Sequence, residues 1–240
     1  MLSIIVPAHD EAPLIGATLD AIADASAWLG GEVEVIVVDD ASGDGTGDIA
    51  RAHGAKVVRV EARQIAAARN AGAAAARGNR LLFVDADTRA NRPAVEALVA
   101  AMDRGAAGGG VAVRFQRPLP LHMRVFESVS ILLFRLFGVT PGCFLFCTSG
   151  AFEAVGGFDE RLYVTEDVTL GRALRQAGPV VILREEVWTS ARKMRTYSIW
   201  EKLRAIASFA RAPRRASRDR SRLDLWYGPR RHDPKDTPPQ

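Results

Sequence analysis

The sequence is short of cysteine. Cys143 and Cys147 are the only two in 240 residues, and they lie close together. They cannot make a disulfide framework, and no second pair completes a zinc site. A reducing compartment is the simplest reading, so a cytoplasmic location is expected. Long apolar runs are missing too. The longest, Val129 to Phe137, is broken by Arg135, whereas a bilayer span needs about twenty apolar residues. The opening stretch, Met1-Leu2-Ser3-Ile4-Ile5-Val6-Pro7, has no basic region and reaches Asp10-Glu11 at once, so no signal peptide is expected. There is no internal repeat. The glycine-rich turn from Asp39 to Thr46 is not a dinucleotide fingerprint, because Asp48 takes the place of the last glycine. Nor is it a calcium loop, since one starting at Asp40 would close on Arg51, which cannot be a ligand.

What is present suits a soluble globular domain: 48% of residues are apolar and 25% are charged. At this length the chain can bury a sizeable core as one domain. The net charge of +4 is modest but unevenly placed, with Arg211, Arg214, Arg215, Arg218, Arg220, Arg222, Arg230 and Arg231 near the end. A basic end can suit nucleic acid, anionic lipid or phosphorylated ligands. Residues 213–240 have little to bury and read as a solvated, disordered tail. No nucleic-acid partner is expected.

Strand and helix alternate along the first half. Apolar runs at Ser3–Val6, Val33–Val38, Lys56–Val60 and Leu81–Val84 read as strands, with Pro7 marking the end of the first. Between them, Leu14 to Ala27, a segment ending at His53, and the alanine-rich Gln64 to Arg77 read as helices, each followed by glycine. The alternation predicts an α/β domain with a mostly parallel central sheet flanked by helices. In such sheets ligands bind beyond the carboxyl ends of the strands. Asp10-Glu11, Asp39-Asp40 and Asp85/Asp87 all follow strands, so one rule gathers three dispersed acidic clusters into one cleft.

Leu81-Leu82-Phe83-Val84 runs straight into Asp85-Ala86-Asp87. If extension persists, both carboxylates point the same way. Two carboxylates held together repel each other, and a divalent cation with a preference for oxygen ligands, Mg2+ or Mn2+, would relieve this. A plain acidic turn is the alternative.

The second half is less regular. Pro93 to Met102 reads as a helix, Gly105 to Gly110 as a break, and Val111 to Phe115 as a strand. Leu119 to Phe137 reads as a helix whose apolar side chains pack in the core; a lipid or partner surface is the other reading, with Arg124 and Arg135 at a phosphate-rich interface. Thr165 to Ala177 reads as a helix with Thr165 as cap and Glu166-Asp167 in its first turn. Val180 to Leu183 reads as a strand. Ser198 to Ala210 carries Trp200, Leu203, Ile206 and Phe209 at helical spacing. The organisation expected is a domain over 1–195, an amphipathic helix over 196–212, and the basic tail over 213–240.

Taken in order, the motifs resemble those of a family 2 glycosyltransferase with the GT-A fold, of the small single-domain bacterial type. They are Ile4-Ile5-Val6-Pro7-Ala8-His9-Asp10-Glu11, the turn from Val38 to Thr46, Ala68-Arg69-Asn70-Ala71-Gly72, Asp85-Ala86-Asp87, Gly156-Gly157-Phe158-Asp159-Glu160 and Thr165-Glu166-Asp167. The resemblance covers residues 1 to about 190. It implies transfer of a sugar, with inversion, from a nucleotide-diphospho-sugar donor to a hydroxyl acceptor on a glycolipid, polyprenyl phosphate, saccharide or small molecule. Pro7, Ala8 and Glu11 would line the nucleotide pocket. Asp40 would contact the base, supported by Asp39, and Arg69 would pair with phosphate. Asp85 would approach ribose or metal, and Asp87 would be the main ligand of a divalent Mn2+ or Mg2+. Asp167 would be the base that deprotonates the acceptor, with Glu166 and Arg192 near acceptor or phosphate. The Q-x-x-R-W motif and multiple membrane spans of processive members are missing, so long-chain polymer synthesis is not expected.

Two rivals stand beside this reading. A nucleotidyltransferase on a related sheet would also use acidic residues and a metal, but would open with a glycine-rich phosphate loop, which Pro7 to Glu11 is not. A non-catalytic nucleotide-sugar binder or membrane-associated scaffold would not need the full acidic set. Peripheral contact with the inner face of the cell membrane is a further expectation, from the apolar 129–137 stretch, the 198–210 segment and the arginine-rich tail.

Overall fold

Alternating side chains of the early strands divide between two cores, which fixes the layering. In β1 (Leu2–Ala8), Leu2, Ile4 and Val6 face one core and Ile5 the other. The computed structural model describes residues 1–197, 217–220, 223, 227 and 228, except the side chains at 122, 193 and 194. Following β1 are α1 (Ala12–Ser26), β2 (Val33–Asp40), α2 (Thr46–Ala52), β3 (Lys56–Val60), α3 (Ile65–Ala75) and β4 (Arg80–Val84). These strands pair in parallel in the order β3-β2-β1-β4. In β4, Leu82 and Val84 join the core under α1, while Leu81 and Phe83 join the one under α3. Burial on both faces is why these strands are continuous apolar runs.

The chain then makes β5 (Thr88–Arg89), α4 (Arg92–Asp103), β6 (Gly108–Phe115), α5 (Leu121–Phe137), β7 (Phe144–Thr148) and α6 (Ser149–Ala154). Last come α7 (Glu166–Leu174), β8 (Val180–Thr189) and α8 (Arg192–Thr196). β7 runs antiparallel between β4 and β6, and β8 runs parallel to β6, extending the sheet to eight strands that end in β5.

Several expectations are corrected. Pro7 does not end the first strand, which continues to Ala8; β1 pairs with β4 only as far as Ile5, so Pro7 lies where that neighbour has stopped. Gly108 to Gly110 is not a break but the first part of β6, paired with Cys147, Phe146 and Leu145. The glycines are needed for close approach: a Cβ on Gly109 would lie 2.1 Å from the Val181 carbonyl oxygen and 2.6 Å from the Phe146 ring. Likewise a Cβ on Gly72 would lie 2.3 Å from Ile5 Cγ2, so this glycine lets α3 press onto β1. The expectation that α5 packs its apolar residues in the core also fails. Of its apolar side chains only Ile131 is buried, whereas Leu121, Phe126, Leu132, Leu136 and Phe137 are exposed. The amphipathic segment expected over 196–212 lies outside the described residues beyond Tyr197. In the tail, read as having little to bury, Ser217 and Leu223 are buried.

Candidate active site

β1, β2 and β4 run parallel, so their carboxyl ends open on one edge of the sheet, where such folds take ligands. Pro7 and Ala8 at the end of β1, Glu11 just after it, and Asp40 at the end of β2 line a single cleft there. Arg69, Asp85, Asp87, Glu166 and Asp167 line the same cleft. Asp39 and Arg192 do not: each is buried behind the wall. The three acidic clusters thus meet as the parallel topology requires.

The two carboxylates after β4 do not continue an extended strand. Thr88 N–H bonds to the Asp85 carbonyl at 2.9 Å and closes Asp85-Ala86-Asp87 into a turn. Three elements hold that turn. From α1, Thr18 Oγ1 donates to the Ala86 carbonyl at 2.7 Å. From β8, Thr189 Oγ1 donates to Asp87 Oδ1 at 3.2 Å, and Ser190 N–H reaches the Asp87 carbonyl at 3.0 Å. From α3 comes Arg69.

Arg69 is among the most deeply buried large side chains of the described chain. Its Nη2 donates to Asp85 Oδ1 at 2.9 Å and to the Gly142 carbonyl at 3.0 Å; its Nη1 donates to Glu166 Oε1 at 2.7 Å. Its guanidinium carbon sits 5.2 Å from the centre of the Phe158 ring, and Phe158 packs edge-on against Phe83 of β4. Burial disfavours the Arg69 charge, but Asp85, Glu166 and Asp167 outweigh it and hold its pKa above the ordinary value. Next to it, Asn70 fixes the Gly157-Phe158-Asp159 segment: its Oδ1 accepts from Phe158 N–H at 2.9 Å and its Nδ2 donates to the Phe158 carbonyl at 3.0 Å. The Arg69-Asn70 pair therefore ties the first half of the chain to the second.

Glu166 and Asp167 open α7 on the far side of Arg69. Thr165 was expected to cap this helix, but it makes no side-chain cap bond and has a left-handed φ of 67°. Instead Asp167 Oδ1 accepts from Val168 N–H at 2.7 Å, so the acid itself satisfies one orphan amide. Gly142 comes so close that a Cβ there would lie 2.6 Å from Asp167 Oδ2, and only a hydrogen fits. Burial pushes the Glu166 carboxyl up to about 7, against the pull of Arg69. Burial also raises Asp167, Arg69 partly offsets it, and the Val168 amide lowers it. Burial thus outweighs the helix terminus, which alone would favour the ionised form.

At the β2 end of the cleft, Asp40 accepts from the Arg63 and Gln64 amides at 2.7 and 2.8 Å, tying the end of β2 to the start of α3. Asp39 accepts from Ser42 N–H at 3.2 Å and shapes the following turn. Arg192 Nη2 donates to both Glu11 oxygens at 2.7 and 2.8 Å, which places its charge on Glu11 rather than in the cleft. Backbone strain collects here. Among the described residues, the four non-glycine positions with left-handed φ are Asp10, Ala41, Arg63 and Thr165, all in the cleft lining or next to it. Each such position costs about 1–3 kcal/mol, and such residues cluster at functional sites.

Among the described residues no three His, Cys, Asp or Glu side chains are grouped to cage a metal ion. Magnesium is commonly bound by one or two carboxylates together with substrate phosphates, which needs no such cage. The Cys143 thiol is pushed well up by burial and then by the charges of Asp85, Asp87 and Asp167, against the pull of Arg69. Asp87, with Asp85 beside it, supplies the hard oxygen donors that Mg2+ or Mn2+ takes.

Sequence reasoning missed several cleft residues. Tyr163 and Tyr227 stack edge to face with ring centres 5.5 Å apart, and Tyr227 Oη donates to the Tyr163 carbonyl at 2.7 Å. The Arg220 guanidinium lies 5.4 Å from the Tyr227 ring centre. Both Arg220 and Tyr227 line the cleft, so part of the supposed tail returns to it. The signal that could have found it is the short apolar cluster Leu223, Leu225, Trp226 and Tyr227 among the arginines.

The fold is of GT-A type. The model of the family "Glycosyl transferase family 2" matches residues 3–155. The chain belongs to that family. A probable glycosyltransferase, YdaM, of Bacillus subtilis (strain 168) is 24% identical over 229 residues, 83% of this chain and 52% of its own. The dolichol-phosphate mannosyltransferase of Mycosarcoma maydis is 32% identical over 148 residues, 55% of this chain and 50% of its own. The chain thus spans about half the length of the curated relatives it matches. Among solved structures, the mannosyltransferase PcManGT from Pyrobaculum calidifontis, in complex with GDP-Man and Mn2+, superposes with a TM-score of 0.70 at 23% identity. That match covers 95% of this chain and 68% of the other, and shows a shared fold.

Proposed function

We propose that this chain is an inverting, metal-dependent glycosyltransferase that moves a sugar from a nucleotide-diphospho-sugar to a hydroxyl acceptor. One observation carries the reading. The Asp85–Arg69–Glu166 bridge, with contacts of 2.9 and 2.7 Å, holds the acidic turn and the start of α7 in one cleft. Asp167 then shares that cleft with Asp85 and Asp87. In the proposed roles, Pro7, Ala8 and Glu11 bound the nucleotide pocket, and Asp40 accepts from the base. Arg69 acts indirectly, by fixing the acids on either side of it. Asp87, assisted by Asp85, would hold a Mn2+ or Mg2+ ion, which when bound neutralises charge on the diphosphate leaving group. Asp167, steadied by the Val168 amide, takes the proton of the acceptor hydroxyl as it attacks. A single displacement of this kind inverts the anomeric centre. No described helix is long and apolar enough to cross a membrane. Work on the cytoplasmic side, in peripheral contact with a membrane, is part of the proposal.

The test is turnover on a panel of nucleotide sugars, headed by GDP-mannose because two of the similar proteins are mannosyltransferases. Transfer should require a divalent cation and stop with chelator. Asp167→Asn should lower turnover by about 10²–10⁴-fold, the usual worth of a general base, with donor affinity little changed. Glu166→Gln should be milder. Near-normal turnover in Asp167→Asn would remove Asp167 as base, and transfer unaffected by chelator would remove the metal.

A further inference from the structure

α5 is turned inside out for a helix of a soluble domain. A core-facing helix covers its apolar stripe and leaves its charges in water. Here the acid is inside: Glu127 is 2% exposed. It accepts from Phe115 N–H at 2.7 Å, Arg117 Nη2 at 2.7 Å and Arg114 Nη1 at 3.3 Å, pinning the helix to the end of β6. The apolar side chains are outside, with Leu121, Leu136 and Phe137 at 72, 69 and 70% exposure and Phe126 and Leu132 both at 56%. Scattered apolar residues on a surface need no explanation, but a whole helix face of them marks an interaction site.

The exposed charges of the helix itself are both basic. α5 carries Arg124 and Arg135 on its exposed side, and Glu127 is its one acid. At its carboxyl end, Phe134, Phe137 and Val139 form a groove with Val168, Arg172 and Arg175 of α7 and the residue after it. Arg175 Nη2 reaches the Gly138 carbonyl at 2.8 Å, and Arg135 Nη2 reaches the Arg184 carbonyl at 2.9 Å. The apolar band is thus rimmed by guanidinium groups on long stems, the arrangement in which basic side chains reach phosphate while their stems lie on an apolar surface.

We propose that α5 is an interfacial helix that docks this protein on an anionic bilayer surface. A 17-residue helix bearing arginine lies in the headgroup region rather than across the membrane. A second copy of this chain fits less well, because face-to-face pairing would set the same arginine rim against itself. The docking does not depend on the transferase reading. It does have a geometric consequence for the cleft. Five residues beyond α5, Gly142 takes the Arg69 hydrogen bond at 3.0 Å and abuts Asp167. The docked face therefore lies close to the part of the cleft that holds Asp167.

Co-sedimentation of the full chain with vesicles decides the matter. Equal mixtures of phosphatidylglycerol and phosphatidylcholine should pellet the protein at low salt and, less completely, at physiological salt, while phosphatidylcholine alone should not. Leu136→Glu/Phe137→Glu, at exposed positions that pack against nothing in the core, should lower partitioning about tenfold or more, with an unchanged circular dichroism spectrum. Arg124→Gln should lower it mainly at low salt. Absence of binding to the anionic vesicles overturns the proposal. So does binding that the double variant leaves unchanged, which would assign it to the basic tail instead. A stable dimer that the double variant converts to monomer, without vesicle binding, overturns it in favour of a second copy.

Discussion

A guanidinium is hidden between two carboxylates, Asp85 and Glu166, with Asp167 close by. Removing one partner of a buried charge pair costs about 3–5 kcal/mol, because the other charge is left stranded. Glu166 and Asp167, both held against Arg69, titrate as a pair rather than as independent residues. Burial lifts Glu166 to about 7 and lifts Asp167 above its usual range. Both raised acids gain protons as pH falls, and a protonated Asp167 cannot act as a base. Turnover should accordingly be lost at a higher pH than an ordinary aspartate would give, as pH falls through the raised titration of Asp167. In Glu166→Gln that limb should persist, because burial and Asp85, which raise Asp167, remain. A pH profile of kcat for the two enzymes checks this; a limb lost with Glu166 would assign it to that acid instead. The acids themselves were legible in the sequence, since each cluster closes an apolar run or begins a helix. Their partners were not: Glu166 and Arg192 lie 97 and 181 positions from the residues they pair with, and no local pattern records such distances.

At the scale of elements, continuous apolar runs announced the strands of the parallel half because both faces of those strands are covered. The helices announced themselves by spacing and by the glycines after them. Failures came where one residue type has two uses. Glycines 108–110 look like a break, yet they are strand residues whose missing side chains make room for Phe146 and the Val181 carbonyl. Gly109→Ala should therefore destabilise the fold by roughly 1–3 kcal/mol, the usual cost of overpacking, or more if β6 and β8 separate. A denaturant midpoint equal to that of the unmodified protein would contradict this. α5 failed for a different reason. Helical spacing shows that a helix has an apolar face, but not which way the face turns. That was decided by Glu127 and its bonds to β6.

On the scale of the molecule, the two halves of the chain complete each other. The stretch matched by the family model stops at residue 155. β8 at 180–189 covers the open side of β6, and Glu166 answers a charge set in place by α3. A chain cut after residue 155 would expose the backbone edge of β6 and leave Arg69 buried with Asp85 alone. It should fail to show a cooperative thermal transition, which scanning calorimetry of the shortened chain would reveal; a sharp transition would mean the first half stands alone.

Arg69 has a consequence for exchange between relatives. It acts as a password between two stretches of sequence that could otherwise be shuffled. A chimera importing a foreign segment after residue 155 inherits a question asked from α3. It can be answered only by a carboxylate delivered to the place of Glu166. First and second halves can then be recombined freely only among chains that share that reply, however unlike the rest of their surfaces have become.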